Sequence, residues 1–355
     1  MIRSEVADAV ALHRLAPWVL AHVEGTDNEV QVDQLSGGSS NLTFRVRSGA
    51  RDLVLRRPPA GRVLATANDV LREHQVQAAL AGSGVPVAAM VAACDDVEVI
   101  GAPFYLMEHL DAIVYDDANA VAHLSEADAR AASDELVDVL VRLHTVDPTA
   151  VGLGDLGRPG GFVARQVDRW CSQWDASKQR EVAAVDEVGS RLRRAIPTRS
   201  RAGIVHGDYS FNNTMWHRDE PARMQAVLDW EMATLGDPLT DLGMLVTYWG
   251  PVGELLWRAR APQAHRANAG FPDADTLVER YARATGVDAD AIDFYRVLAT
   301  FKLAVISEGA HARLVANGAS PERARHAGET VEALAAAALD LADRSSSPAL
   351  RGASS

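Results

Sequence analysis

Apolar and polar positions alternate through the first third of the chain and recur at helical spacing through most of the rest. Residues 30–35, 42–46 and 52–57 predict short strands, with Val30 and Val32, then Leu42, Phe44 and Val46, falling on alternate positions. Between residues 68 and 81 the spacing changes. Val70, Leu71, Val76, Ala79 and Leu80 form one stripe of a helix that Gly82-Ser83-Gly84 ends before an extended segment at 85–87. Residues 104–110 read as a buried strand. From Ser125 onward helical patterns prevail, opened by a capping box of Ser125 with Asp128. Helices are expected over 127–144, 162–174, 180–196, 242–249, 274–285, 289–311 and 321–342, broken by a strand-rich stretch at 202–229 with short strands at 204–205 and 226–228. The fold class is therefore α+β: a small β-rich N-terminal lobe over 1–110, a larger mainly helical lobe over 111–343, and a Ser-, Gly- and Pro-containing tail over 344–355 expected to fray.

Composition narrows this picture only a little. The 355 residues are 48% hydrophobic and 23% charged, ordinary for a globular chain with room for two domains. A net charge of −13 argues against non-specific nucleic-acid binding and is compatible with a cationic partner. Cys94 and Cys171 stand far apart and outside any C-x-x-C, so neither a disulfide framework nor a zinc site is expected, and a reducing cytoplasm is the simple inference. No apolar run approaches the roughly 18 residues that suggest a membrane span, and no signal-peptide pattern opens the chain.

The chemistry concentrates between Ile204 and Gly243, where His206-Gly207-Asp208, Asn213 and Asp229 fall in one strand-loop-strand region. Phosphoryl transfer asks for a carboxylate beside the acceptor hydroxyl and oxygen ligands for Mg2+. Asp208 suits the first role and Asn213 and Asp229 the second. In an extended segment Asp229 and Glu231 share a face and would approach the same cation. Near the N-terminus, Ser36-Gly37-Gly38-Ser39-Ser40-Asn41 links two strands. Its glycines and hydroxyls are suited to approach a phosphate, although the same residues make an ordinary hairpin loop.

H-G-D-x-x-x-x-N followed by a hydrophobic strand ending in Asp resembles the aminoglycoside phosphotransferase and choline kinase group, relatives of the protein kinases. The resemblance implies a protein-kinase-like two-lobe fold and an ATP- and Mg2+-dependent enzyme that phosphorylates a small-molecule hydroxyl acceptor. It casts Asp208 as the catalytic residue, Asn213 and Asp229 as metal ligands, and His206 as a scaffold residue of the loop. Gly236-Asp237-Pro238 and Asp241-Leu242-Gly243 match the group's continuation and would fix the loop and start the next helix. The 36–41 turn would cover the nucleotide with Ser39, Ser40 and Asn41. Arg56 stands where kinases carry a phosphate-binding lysine, since no lysine precedes Lys178. Glu73 would pair with it, and Met107, Glu108 and Leu110 would form the hinge that receives the adenine. Leu55-Arg56-Arg57-Pro58-Pro59 resembles in particular the phosphotransferase domains that mitochondrial relatives join to an acyl-CoA dehydrogenase, which adds hydroxyacyl thioesters to amino alcohols, aminoglycosides and sugars as acceptor classes.

Two other readings stay open at this point. One is a metal-dependent phosphohydrolase with His206, Asp208, Asp229 and Asp237 as ligands. The other is a degenerate nucleotide-binding scaffold protein, favoured by the missing lysine. Trp170, Trp174, Trp216, Tyr248 and Trp249 are candidates to line a pocket, though Trp170 and Trp174 at helical spacing read more readily as core. Oligomeric state is not legible in the sequence.

Overall fold

The computed structural model describes residues 9–35, 41–59, 69–257 and 268–352. Ser39 and Ser40 lie outside them. The chain divides into two compact units, Met1–Ala112 with Gln225–Ala233, and Ile113–Met224 with Thr234–Ser355. The stretch 225–233 thus joins the N-terminal unit, although it follows the H-G-D segment in sequence.

In the first unit, helix α1 (Leu12–His22) precedes strands β1 (Gln31–Gln34), β2 (Leu42–Ser48) and β3 (Arg51–Arg57), helix α2 (Val70–Leu80), β4 (Met90–Cys94), the single turn α3 (Val97–Ile100) and β5 (Phe104–Glu108). The strands form one sheet in the order β1-β2-β3-β5-β4, every neighbour antiparallel. Phe44, Val46, Leu53, Leu55, Phe104 and Leu106 are buried with Leu15 and Val19 of α1 in one apolar cluster. Asp69 caps α2 by accepting the Arg72 N–H at 3.0 Å. The period of two sends adjacent arginines to opposite faces. Arg57 is buried and donates to the carbonyls of Ala9 (2.6 Å), Ile100 (3.0 Å) and Pro58 (3.1 Å), whereas Arg56 turns toward α2.

The second unit carries the helices. Short β6 (Ala112–Val114) and α4 (Ala118–Val121) lead to α5 (Glu126–Thr145), α6 (Phe162–Ser177) and α7 (Ala183–Arg194). Then come β7 (Gly203–Val205), β8 (Thr214–His217), β9 (Met224–Val227, all but Met224 in the first unit), β10 (Thr234–Gly236), α8 (Leu239–Trp249), α9 (Pro251–Trp257), α10 (Ala274–Thr285), α11 (Ile292–Ala316) and α12 (Pro321–Arg344). β7 pairs antiparallel with β10. The Ser125–Asp128 capping box forms as expected. α8 crosses α11 closely because Gly243 has no side chain: a Cβ there would meet the Tyr295 carbonyl at 2.7 Å.

Of the tail expected to fray, residues 345–350 are held by side-chain and backbone contacts, and 353–355 lie outside the described residues. Ser345 Oγ and the Ser346 N–H donate to Asp293 at 2.9 and 3.0 Å, Leu350 is fully buried, and its carbonyl accepts from Arg191. Serines that suggest disorder by composition serve here as local hydrogen-bond donors. No helix of the described residues is long and apolar enough to cross a membrane.

Candidate active site

In the first unit the site grows from β3, α2 and the turn after β9. Arg56 Nη2 lies 3.2 Å from Glu73 and 3.6 Å from Asp229. The guanidinium is largely buried and Glu73 almost wholly so, at 14% and 2% side-chain exposure, so the pair is weakly screened. Tyr105, opposite Arg56 on β5, hydrogen-bonds Glu73 through its hydroxyl and accepts from Gln77 at 3.2 Å. Burial pushes the Glu73 carboxyl up to about 7, against the opposing pull of Arg56. Burial also works against Arg56, but the charges of Glu73, Tyr105, Asp229 and Glu231 more than offset it and raise its pKa.

Asp229 occupies the left-handed region at φ 63°, ψ 58°, uncommon for a residue with a side chain. The turn is held by Val227, whose N–H reaches the Pro86 carbonyl at 2.9 Å, and by buried Trp230, whose indole donates to Val227 O at 2.9 Å. Such over-determined strain is a mark of functional turns. Asp229 Oδ1, Arg56 Nε and Glu73 Oε2 are buried without a hydrogen-bond partner, as are both amide atoms of Asn41, which is 2% exposed at the start of β2. The structure brings Arg56, Glu73, Asp229 and Glu231 together. At the expected hinge, the Glu108 N–H is already given to Ala89 O (2.9 Å) and its carboxylate to Arg51 (2.7 Å), while Met107 pairs with Val54 inside the sheet. Leu110 follows in the loop before β6.

The second unit holds Asp208 and Asn213. Gly207, at φ +89°, makes the reversal that β7 needs to present Asp208, and few other residues adopt that backbone. Buried Asp241 of α8 grips this turn, accepting the N–H groups of His206 (2.6 Å) and Gly207 (2.8 Å). Burial opposes the Asp241 charge. Its hydrogen bond from His144 and the Gly207 N–H nevertheless hold its pKa below the ordinary value. His206 is wholly buried and accepts the Asp208 N–H on Nδ1 at 3.3 Å. The Asn213 amide nitrogen donates to the Asp208 carbonyl (2.9 Å) and to Oδ2 (3.2 Å), which turns its carbonyl oxygen away from Asp208. Oδ1 of Asp208 accepts from the Tyr248 hydroxyl at 3.1 Å. From α11, Lys302 Nζ donates to the Gly207 carbonyl at 2.9 Å.

Asp237 is 2% exposed and has both oxygens in use, accepting from Leu239 N–H (3.0 Å) and Tyr295 Oη (2.8 Å). Like His206 it is scaffold, which leaves the hydrolase reading two ligands short. Among the described residues no group of three His, Cys, Asp or Glu side chains is placed to hold a metal. Trp170, Trp174 and Trp216 are core residues, while Trp249 borders a cavity of about 660 Å³ with Thr247, Phe271 and Arg296.

Sequence reasoning missed Lys302 and the role of Tyr248. A lysine in the run 297–305, whose other residues are apolar apart from Thr300, was the available signal for the first. Tyr248 lies in an apolar helix and carried none.

The chain resembles known proteins over most of its length. The sequence profile of the phosphotransferase enzyme family matches residues 31–295. Acyl-CoA dehydrogenase family member 11 of Rattus norvegicus is 33% identical over 345 residues, covering 94% of this chain and 43% of that protein. The chain spans less than half the length of the acyl-CoA dehydrogenase relatives it matches. A candidate aminoglycoside phosphotransferase of Ralstonia eutropha JMP134 superposes with a TM-score of 0.81 at 35% identity, over 95% of this chain and 99% of that one. A thermostable aminoglycoside phosphotransferase mutant solved with ADP and hygromycin B shares the fold at TM-score 0.59 and 16% identity, over 90% of this chain and 96% of that one. The fold is thus protein-kinase-like, with a small antiparallel-sheet unit and a larger helical one, and the chain belongs to the phosphotransferase enzyme family.

Proposed function

We propose that the protein transfers the γ-phosphoryl group of ATP to a hydroxyl of a small molecule, with Asp208 as the residue that takes the acceptor's proton. The observation that carries this reading is the state of Asp208: its carboxylate is fixed by donors on both oxygens, on a turn whose backbone is itself hydrogen-bonded on both sides. Positioning and electrostatics supply most of phosphoryl-transfer catalysis, so a rigidly held carboxylate is what the chemistry needs. Arg56 would contact the nucleotide phosphates while Glu73 and Tyr105 hold it. Arginine can do this in a bidentate way, so the missing lysine does not require a degenerate scaffold. Asn41 would contact the phosphates. The hinge over Met107, Glu108 and Leu110 would receive the adenine, through the Glu108 carbonyl rather than its committed N–H.

Asp229, Glu231 and Asn213 would each offer Mg2+ an oxygen of the kind this hard cation takes, with phosphate oxygens and water completing its shell. The Asp229 oxygen without a hydrogen-bond partner and the Asn213 carbonyl turned from Asp208 suit that role. When bound, the ion neutralises charge on the phosphates. Among acceptors, hydroxyacyl thioesters rank first because the relatives that match nearly the whole chain are acyl-CoA dehydrogenase family members. Aminoglycosides come next, through the 35%-identical structure.

The test is ADP formation from ATP and Mg2+ with a panel of hydroxyacyl thioesters, aminoglycosides, amino alcohols and sugars. Acceptor-dependent ADP release supports the proposal. Phosphate release from monoesters without nucleotide would turn the reading toward a hydrolase.

A further inference from the structure

We infer that Tyr248 and Lys302, neither of them part of the H-G-D-x-x-x-x-N…D pattern, are positioning residues of the transfer reaction. The inference rests on the phosphotransferase reading and concerns how Asp208 is aimed. A carboxylate on a loop has two soft side-chain torsions, and misplacement by about 1 Å can cost about a hundredfold in rate. Asn213 restrains Oδ2 and Tyr248 restrains Oδ1. The Tyr248 phenol is held protonated, its pKa pushed far up by burial and by the neighbouring Asp208 charge, so the hydroxyl acts as a donor. Each oxygen keeps a further lone pair for the acceptor.

Lys302 fixes the other end of the lever. It is one of the chain's two lysines, with Lys178 the other. It sits 8% exposed on α11 with its ammonium 5.6 Å from the Trp170 ring centre. Burying an ammonium is costly unless charge and hydrogen bonds compensate it. Here burial lowers its pKa, while the nearby Asp208 and Asp241 charges pull the other way. It donates to the carbonyl of Gly207, whose N–H Asp241 accepts. The turn that carries Asp208 is therefore clamped from α8 and α11 at once. In the reaction the acceptor O–H proton passes to Asp208 as the new O–P bond forms and the P–O bond to the departing nucleoside diphosphate breaks. Tyr248 and Lys302 hold the atom that receives the proton without exchanging one themselves.

The test compares Tyr248→Phe, Lys302→Met, Asp208→Asn and the Tyr248→Phe/Asp208→Asn double variant with the parent, on the acceptor that the parent uses best. Tyr248→Phe is expected to lower kcat about tenfold, with both KM values and the melting temperature nearly unchanged. Adding it to Asp208→Asn should cost nothing more, because it acts through that residue. Lys302→Met should lower kcat similarly with some loss of stability, and Tyr248→Phe decides the matter if that variant fails to fold. A Tyr248→Phe kcat within about twofold of the parent, or full additivity in the double variant, overturns the inference and leaves the function intact. A parent that forms no ADP with any acceptor or with water overturns the phosphotransferase reading and this one together.

Discussion

The two units carry their candidate residues in opposite states. Around Asp208 polar groups are paired: Asn213 and Tyr248 on its carboxylate, Asp241 and Lys302 on the turn before it, His206 on its N–H. Around Arg56 the ion pairs with Glu73 and Asp229 leave several atoms without hydrogen bonds. Asp229 Oδ1, Glu73 Oε2, Arg56 Nε and both amide atoms of Asn41 are buried without hydrogen-bond partners, and Asp229 sits in a left-handed conformation. Unpaired buried polar atoms cost about 1–3 kcal/mol each, and a fold keeps them where something else satisfies them. The contrast separates a carboxylate whose oxygens and supporting turn are hydrogen-bonded from a charged cluster that keeps hydrogen-bonding capacity in reserve.

That contrast predicts different failures in the two regions. The largest effect belongs to Asp208→Asn, which keeps the side chain's shape but removes the proton acceptor and turns one of its two hydrogen-bond acceptors into a donor. It should lower kcat by about 10²–10⁴, the range for general-base loss, while stabilisation by Mg-ATP in thermal unfolding stays as in the parent. An Asn variant that turns over normally would remove Asp208 from its role.

Next is the pH response of the charged cluster. Glu73 has a folded pKa raised to about 7 by burial, well above its unfolded value. A raised carboxyl pKa means the folded state holds the proton more tightly. Its stabilising contribution is therefore complete below the unfolded pKa, near 4.5, and falls away as pH rises through about 7. Urea unfolding between pH 5 and 8 should show up to about 3 kcal/mol of this dependence in the parent and a flatter curve in Glu73→Gln. Equal slopes would place the titration elsewhere.

Asp229→Ala tests the same cluster by ligand. At a nucleotide concentration about a hundred times its dissociation constant, binding should stabilise the parent by about 2.7 kcal/mol with Mg2+ present and by less with EDTA. The variant should lose the Mg2+-dependent part while kcat effects at saturation remain separable. A variant with unchanged Mg-ATP stabilisation would take Asp229 out of the cation site.

Much of this contrast could be read from the chain because its parts are local or periodic. The Ser125–Asp128 box, the strand at Arg51–Arg57 and the α10 span at Ala274–Thr285 are set by patterns within a few residues. The Arg56–Glu73 pair was legible through the family resemblance. What could not be read is set by tertiary packing: Tyr248 meets Asp208 across 40 residues and Lys302 meets Gly207 across 95. The membership of Gln225–Ala233 in the N-terminal unit is of the same kind, since nothing in its composition says which sheet it joins. The contacts of residues 345–346 were hidden for a different reason. Serines are disordering only where no acceptor is near, and Asp293 supplies one.

The sharpest test of the charged cluster uses the neighbouring arginines against each other. Arg57→Ala deletes donors to three backbone carbonyls in the core of the first unit, so it should cost about 2 kcal/mol of stability and leave nucleotide affinity of the folded protein nearly unchanged. Arg56→Lys keeps the charge, with a point-like ammonium in place of a planar guanidinium whose Nη2 lies near Glu73 and Asp229 and whose Nε has no hydrogen-bond partner. Its expected effect is smaller and of the other kind: stability nearly unchanged and nucleotide affinity weakened by about tenfold, or about 1.4 kcal/mol. A lysine that binds as tightly as the arginine would show that charge alone serves at this position. A lysine that binds more tightly would show that the guanidinium's hold on Asp229 restrains the site, and that the arginine is kept for the shape it imposes on the turn rather than for its grip on phosphate.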